Sequence, residues 1–163
     1  MAVDQFEFRT IIGHFATGVT VITTRDGDRL HGMTANAVSS LSLDPVMLLI
    51  CVDKTTHAHD VIQHSGVFAV NILTERQEAL SRLFAKKLEP EVGSLRGQAY
   101  SPGAATGSPI IADCLAYMEC RVKQVLDGGD HSIMLGEVVG EGVVNGDLQP
   151  LVFYRGGYRS LAG

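Results

Sequence analysis

Cysteine is scarce, and the three present, Cys51, Cys114 and Cys120, are odd in number and form no CxxC pair. A disulfide framework and a zinc knuckle are thereby excluded, and a reducing cytoplasm is the expected compartment. Charge is scarce too: 19% of residues are charged, the net charge is −5, and no run of Lys or Arg occurs. A nucleic-acid partner would need a basic face, so none is expected. No apolar run approaches the ~20 residues of a membrane span, and Met1 leads into Asp4-Gln5-Phe6-Glu7 rather than a basic and then apolar leader. A soluble, unexported protein away from the membrane is expected. Three familiar site signatures are also missing. No GxGxxG opens a helix after a strand, no GxxxxGK[ST] is present, and Ser39 lacks the flanking glycines of a nucleophile elbow. A Rossmann unit, a P-loop and a serine hydrolase are set aside.

What is present is a compact chain, 45% hydrophobic with 18 glycines, read as one domain over residues 1–163 without repeat or linker. A chain of this length buries roughly 70% of the surface its unfolded form exposes. Residues 4 to 17 read as a helix, with Phe8, Ile11, Ile12 and Phe15 on one apolar face expected to pack on a sheet. Gly18 is its expected terminator. Residues 19 to 35 read as a hairpin around Arg25-Asp26-Gly27-Asp28, and 46 to 52 as a strand buried on both faces. A short helix near 56 to 64 precedes a strand at 67 to 73. A helix from Thr74 to about Ala85 opens on a Thr74…Gln77 capping box. Residues 86 to 109 are irregular, and strands return at 115 to 125, 131 to 141 and 151 to 154. Many hairpin-linked strands with two or three helices imply a mainly β fold, an antiparallel barrel with flanking helices.

The most informative stretch runs from Gly32 to Thr56. Between two strands, residues 36 to 42 read as a loop whose Ser39, Ser40 and Ser42 offer donors suited to a phosphate. A serine-rich turn alone is ordinarily just a turn. One strand later, however, Asp53-Lys54-Thr55-Thr56 adds a cation and two hydroxyls where a helix begins. His57 and His59 diverge on a helix and lack a third ligand, so no metal is expected. His131 follows the Gly128-Gly129-Asp130 turn and can project into a cleft, or simply be a half-exposed strand histidine. Tyr154-Arg155-Gly156-Gly157-Tyr158 is either a stacking wall for a flat ring or a strand covering the core.

Taken in order, GMTANAVSSLSLDP, LLICVDKTTHAHDVI, GVFAVNIL, LSRLFA, GGDHSIMLGEV and LVFYRGGYRSL closely resemble the short-chain flavin reductases, the reductase components of two-component flavin-dependent monooxygenases. The resemblance runs from about Phe8 to Leu161. It implies an FMN-binding split barrel, a Greek-key antiparallel β-barrel with flanking helices, forming a homodimer. It implies NAD(P)H:flavin oxidoreductase activity, with hydride passing from NADH or NADPH to FMN or FAD and reduced flavin diffusing to a partner monooxygenase. By the same resemblance Met33, Thr34, Ala35 and Asn36 lie along the flavin ring, and Ser39, Ser40, Leu41 and Ser42 approach the ribityl chain and phosphate. Cys51, Val52, Asp53, Lys54, Thr55, Thr56 and His57 complete that site, with Phe84 and Ala85 as a further contact. Gly129, Asp130 and His131 match a nicotinamide-associated motif in which His131 acts catalytically, and Tyr158 matches an aromatic near the nicotinamide. Two other functions fit the same fold: a tightly flavin-bound reductase of a corrinoid or ferric complex, and a non-catalytic flavin- or haem-binding barrel. Arg82, Lys86 and Lys87 are candidates for a 2′-phosphate, although cations there are usually just solvated.

Overall fold

A computed structural model describes residues 2–161. Asp4 caps α1 (Gln5–Ile12), its Oδ1 accepting from Phe6 N at 2.7 Å and Glu7 N at 3.0 Å. The helix stops at Gly13, short of residue 17. There Gly13 O accepts from Arg155 N at 2.8 Å, and β1 (Thr17–Gly18) is drawn into pairing with Val152 and Phe153. Contrary to expectation, the apolar face of α1 packs on no sheet: Phe6, Phe8, Ile11, Ile12 and Phe15 are all exposed, Phe6 at 80%.

The expected hairpin is β2 (Thr20–Asp26) and β3 (Arg29–Ala35), reversing at Gly27 with φ 63°. The segment read as a serine loop is instead mostly strand. β4 (Val38–Leu43) pairs antiparallel with β5 (Val46–Asp53), with a bulge between Ser40 and Ser42. Pairing engages much of the backbone that a phosphate-binding loop would have to offer. After β5 come α2 (His57–Ser65), β6 (Val67–Ile72), a 3-10 turn at Glu75–Gln77 and α3 (Glu78–Phe84). The Thr74 capping box is present, Thr74 N donating to Gln77 Oε1 at 3.0 Å. The irregular segment carries three short strands, β7 (Glu91–Val92), β8 (Tyr100–Pro102) and β9 (Pro109–Ile111). A long hairpin follows, β10 (Ala116–Gly128) with β11 (His131–Val143), and then the small pair β12 (Val152–Tyr154) and β13 (Gly157–Arg159).

Eight strands form one antiparallel sheet in the order β4-β5-β11-β10-β6-β2-β3-β7. In a flat sheet β3 and β4 would stand roughly 29 Å apart, at about 4.8 Å per strand. Only Asn36 and Ala37 join them, a link that reaches at most about 11 Å. The sheet therefore curls until the end of β3 meets the start of β4, and the two are left unpaired. That seam opens the barrel where the candidate site lies. Apolar side chains fill both faces of β2, as its buried run demands. Ile22 joins a cluster with Ile50, Val52, Phe68, Cys120 and Met134, while Val21 joins one with Leu30, Leu73, Phe84 and Leu151. Among the described residues no helix is long and apolar enough to cross a membrane.

Candidate active site

A cleft of about 570 Å³ lies along the seam. One wall is the end of β3, His31 to Ala35, continuing through Asn36 and Ala37. Gly32 is needed there: a Cβ at this position would come within 2.9 Å of the Phe84 ring, so its absence lets α3 close on the strand. Thr34 fixes the same contact, its Oγ1 donating to Ser81 O at 2.6 Å. Phe84 and Ala85 form the adjoining wall, and Lys86, Lys87, Leu88 and Glu89 carry it to the mouth. Neither lysine forms an ion pair among the described residues.

The opposite wall is made by Cys51 and Asp53 at the end of β5, with Thr55, Thr56 and His57 where α2 begins. Asp53 Oδ1 accepts from Thr55 N and from Thr55 Oγ1, both at 2.8 Å. Those bonds hold its carboxyl below the usual 3.8. Thr56 is the N-cap of α2, its Oγ1 accepting from His59 N at 3.3 Å and donating to Asp53 O at 2.8 Å. The third contribution comes from the turn between β10 and β11. Gly129, at φ 79°, allows the reversal, and His131 stands opposite Asp53 in the β5–β11 register. Its Nδ1 lies 2.7 Å from Asp130 Oδ1. The carboxylate accepts, so that bond sets the tautomer and leaves Nε2 without a described protein partner.

His31 was not singled out from the sequence. It is 5% exposed yet lines the cleft, and burial, then the charges of His57 and Arg96, push its pKa down from 6.5 to about 4. A neutral imidazole, one donor and one acceptor, thus sits in the cleft wall at ordinary pH. Its signal in the sequence was only adjacency to Gly32-Met33.

Several expected residues stand elsewhere. Ser39, Ser40, Leu41 and Ser42 do not line the cleft, because they form the edge strand β4. Val52 points into the core at 0% exposure, as strand alternation requires next to Cys51. Lys54 turns away, its Nζ paired with the Asp127 carboxylate. Gly129 and Asp130 shape the turn without lining the cleft. Tyr158 stands behind α3: its hydroxyl lies 2.7 Å from Ser81 Oγ, and the Arg82 guanidinium lies 4.9 Å from its ring centre. Among the described residues no three His, Cys, Asp or Glu side chains cluster as metal ligands.

The cleft mixes flat apolar surface (Met33, Ala35, Ala37, Phe84) with Thr and Asn groups and two cations at its mouth. Its volume falls in the range of small-molecule sites. This donor set suits a flat heteroaromatic ring with a phosphorylated tail.

Comparison with known proteins agrees. Residues 12–162 match the family described as flavin reductase like domain. The reductase subunit HsaB of a flavin-dependent monooxygenase from Mycobacterium tuberculosis is 40% identical over 160 residues, covering 98% of this chain and 83% of that protein. An NADH-dependent FAD reductase from Streptomyces globisporus is 39% identical over 137 residues, covering 83% of this chain and 75% of that one. Among solved structures, the NADH:FAD oxidoreductase SgcE6 of Streptomyces globisporus C-1027 superposes with a TM-score of 0.91 at 35% identity, covering 100% of this chain and 98% of that one. Fold, cleft and relatives converge, and the chain belongs to the flavin reductase-like family, with that family's split-barrel fold.

Proposed function

We propose that this protein is an NAD(P)H:flavin oxidoreductase, acting as a single domain, that takes hydride from NADH and supplies reduced FMN or FAD to a partner monooxygenase. The observation that carries the reading is the convergence of Met33–Asn36, Cys51, Asp53, Thr55–His57, Phe84–Ala85 and His131 on one cleft in a chain of this family. Relatives named as NADH-dependent reductases and as monooxygenase reductase components support donor and partner.

A flavin, when bound, supplies the two-electron acceptor for the nicotinamide's hydride. The chain's own residues have no strong acid–base work to do. Met33 to Asn36 and Phe84 hold the ring between two walls and exclude water from one side of it. Lys86 and Lys87 receive the phosphate and take the role first expected of Ser39–Ser42 and Lys54; Thr55 and Thr56, whose hydroxyls already donate to Asp53, shape the wall at the start of α2. His131, fixed by Asp130, offers Nε2 to the nicotinamide carboxamide and so orients the donor over the ring.

The exposed apolar face of α1 supports a homodimer, since a patch of five large side chains is more than a monomer ordinarily shows to water. A mass measurement by light scattering at micromolar concentration checks it: twice 17.5 kDa is expected. Three free thiols support a cytoplasmic location.

NADH oxidation that requires added FMN or FAD, with flavin separating from the protein on gel filtration, is the expected outcome. Flavin that co-elutes and passes electrons only to another acceptor would move the protein to the bound-flavin class. Absence of oxidation with every flavin and both nicotinamides would overturn the reading.

A further inference from the structure

His59 belongs to no wall of the cleft, yet it is the side chain that joins two of them from beneath. Its Nε2 lies 2.8 Å from Ser132 Oγ, with both residues buried, at 8% and 5% exposure. Ser132 follows His131 on β11. Because strand neighbours point to opposite faces, His131 turns to the cleft while Ser132 turns under α2. On α2, His57 lines the cleft and His59, two residues on, lies on the inner side.

We infer that His59 is a positioning residue for His131: through Ser132 it fixes the start of β11, and with it the His131 ring, relative to the N-terminus of α2. This inference rests on the flavin reductase reading for its kinetic consequence, not for its geometry. The rest of α2 holds to the barrel through the apolar side chains of Ala58 and Ile62 and, at its far end, through His64 Nδ1 2.8 Å from Asp26 Oδ2 and Ser65 Oγ 3.0 Å from Thr24 Oγ1. The His59–Ser132 bond is the side-chain contact that adds direction at the N-terminal end, beside the β5–β11 pairing and the Lys54 N–H donating to Asp130 O at 3.0 Å. The other ring nitrogen, His59 Nδ1, is buried without a hydrogen-bond partner, and Asp60 Oδ1 stands off at 3.7 Å. That leaves the contact with Ser132 Oγ as the hydrogen bond by which the ring is oriented.

The test uses wild type, His59→Ala, Ser132→Ala, His59→Gln and the double alanine variant. Nitrogen-15 NMR of the imidazoles, which needs no flavin, should show the His59 ring nitrogens shifted in Ser132→Ala. It should also show a shifted His131 ring in both single alanine variants. Kinetically, each should raise KM for NADH about tenfold while flavin KM moves less than about twofold, and the double variant should add little. His59→Gln, whose side-chain amide can donate to or accept from Ser132 Oγ near the Nε2 position, should recover most of the loss. His59 ring nitrogens unmoved in Ser132→Ala, an unmoved His131 ring, or equal losses for NADH and flavin tracking a fall in Tm would each overturn the inference. Failure of wild type to reduce any flavin would instead overturn the function, and the NMR results would still decide the His59–His131 coupling.

Discussion

His31 makes the protein's stability depend on pH in a window set by its own burial. In the unfolded chain its pKa is near 6.5, and in the folded protein burial first, then His57 and Arg96, push it down to about 4. The folded state therefore binds the proton less readily, and the stability contribution is present above 6.5 and lost as pH falls toward 4. At pH 5 about 97% of the unfolded chains but only about 9% of folded molecules carry this proton, which costs the fold about 2 kcal/mol relative to pH 7. In a domain of this size that is a fall in Tm of about 4–8 °C. The assay is urea unfolding of wild type and His31→Gln at pH 7 and pH 5. Asp26, Asp53 and Asp127, all held below the usual 3.8, titrate in both proteins and cancel in the difference. Wild type should lose about 2 kcal/mol more than the variant between the two pH values. Parallel losses would refute the assignment of a buried, neutral imidazole in the cleft wall.

Gly32→Ala places a methyl 2.9 Å from the Phe84 ring. The shift it forces should weaken flavin affinity about tenfold by fluorescence titration while leaving most of the fold's stability intact. Replacing Lys86 and Lys87 together by Ala should lower FMN affinity about tenfold or more and leave riboflavin, which lacks the phosphate, nearly unaffected. Equal losses for the two flavins would remove these lysines from the phosphate site. Raising salt should weaken FMN binding to wild type more than to that double variant.

Local chemistry made much of the fold legible. The two long hairpins were marked by Arg25–Asp28 and Asp127–Asp130, the buried β5 by its unbroken apolar run, and the turn before α3 by Thr74 and Gln77. Misreadings fell where a distant partner decides. Ser39 and Ser40 read as a loop because serine favours turns, but pairing with Leu49 and Leu48 makes them an edge strand. Lys54 reads as available for phosphate, but its Nζ pairs with the carboxylate of Asp127, 73 residues later in the chain. The helix at residues 4 to 17 has the right period, yet Arg155 and the pairing of Thr17–Gly18 end it early. In the site, Met33–Asn36, Cys51, Asp53, Thr55–His57, Phe84, Ala85 and His131 were legible through motif resemblance and do meet at one cleft. His31, Lys86 and Lys87 were passed over as cleft-wall groups. A histidine beside a glycine and two lysines after a helix acquire meaning only once the barrel seam brings them together.

Anaerobic stopped-flow mixing of the protein with NADH or NADPH and with FMN, FAD or riboflavin tests the central claim most directly. Loss of the oxidised flavin's visible absorption at a rate saturating in NADH, far faster than without protein and slowed by His131→Ala, is the predicted result. Flavin absorption that persists at the protein-free rate with every pairing would contradict it.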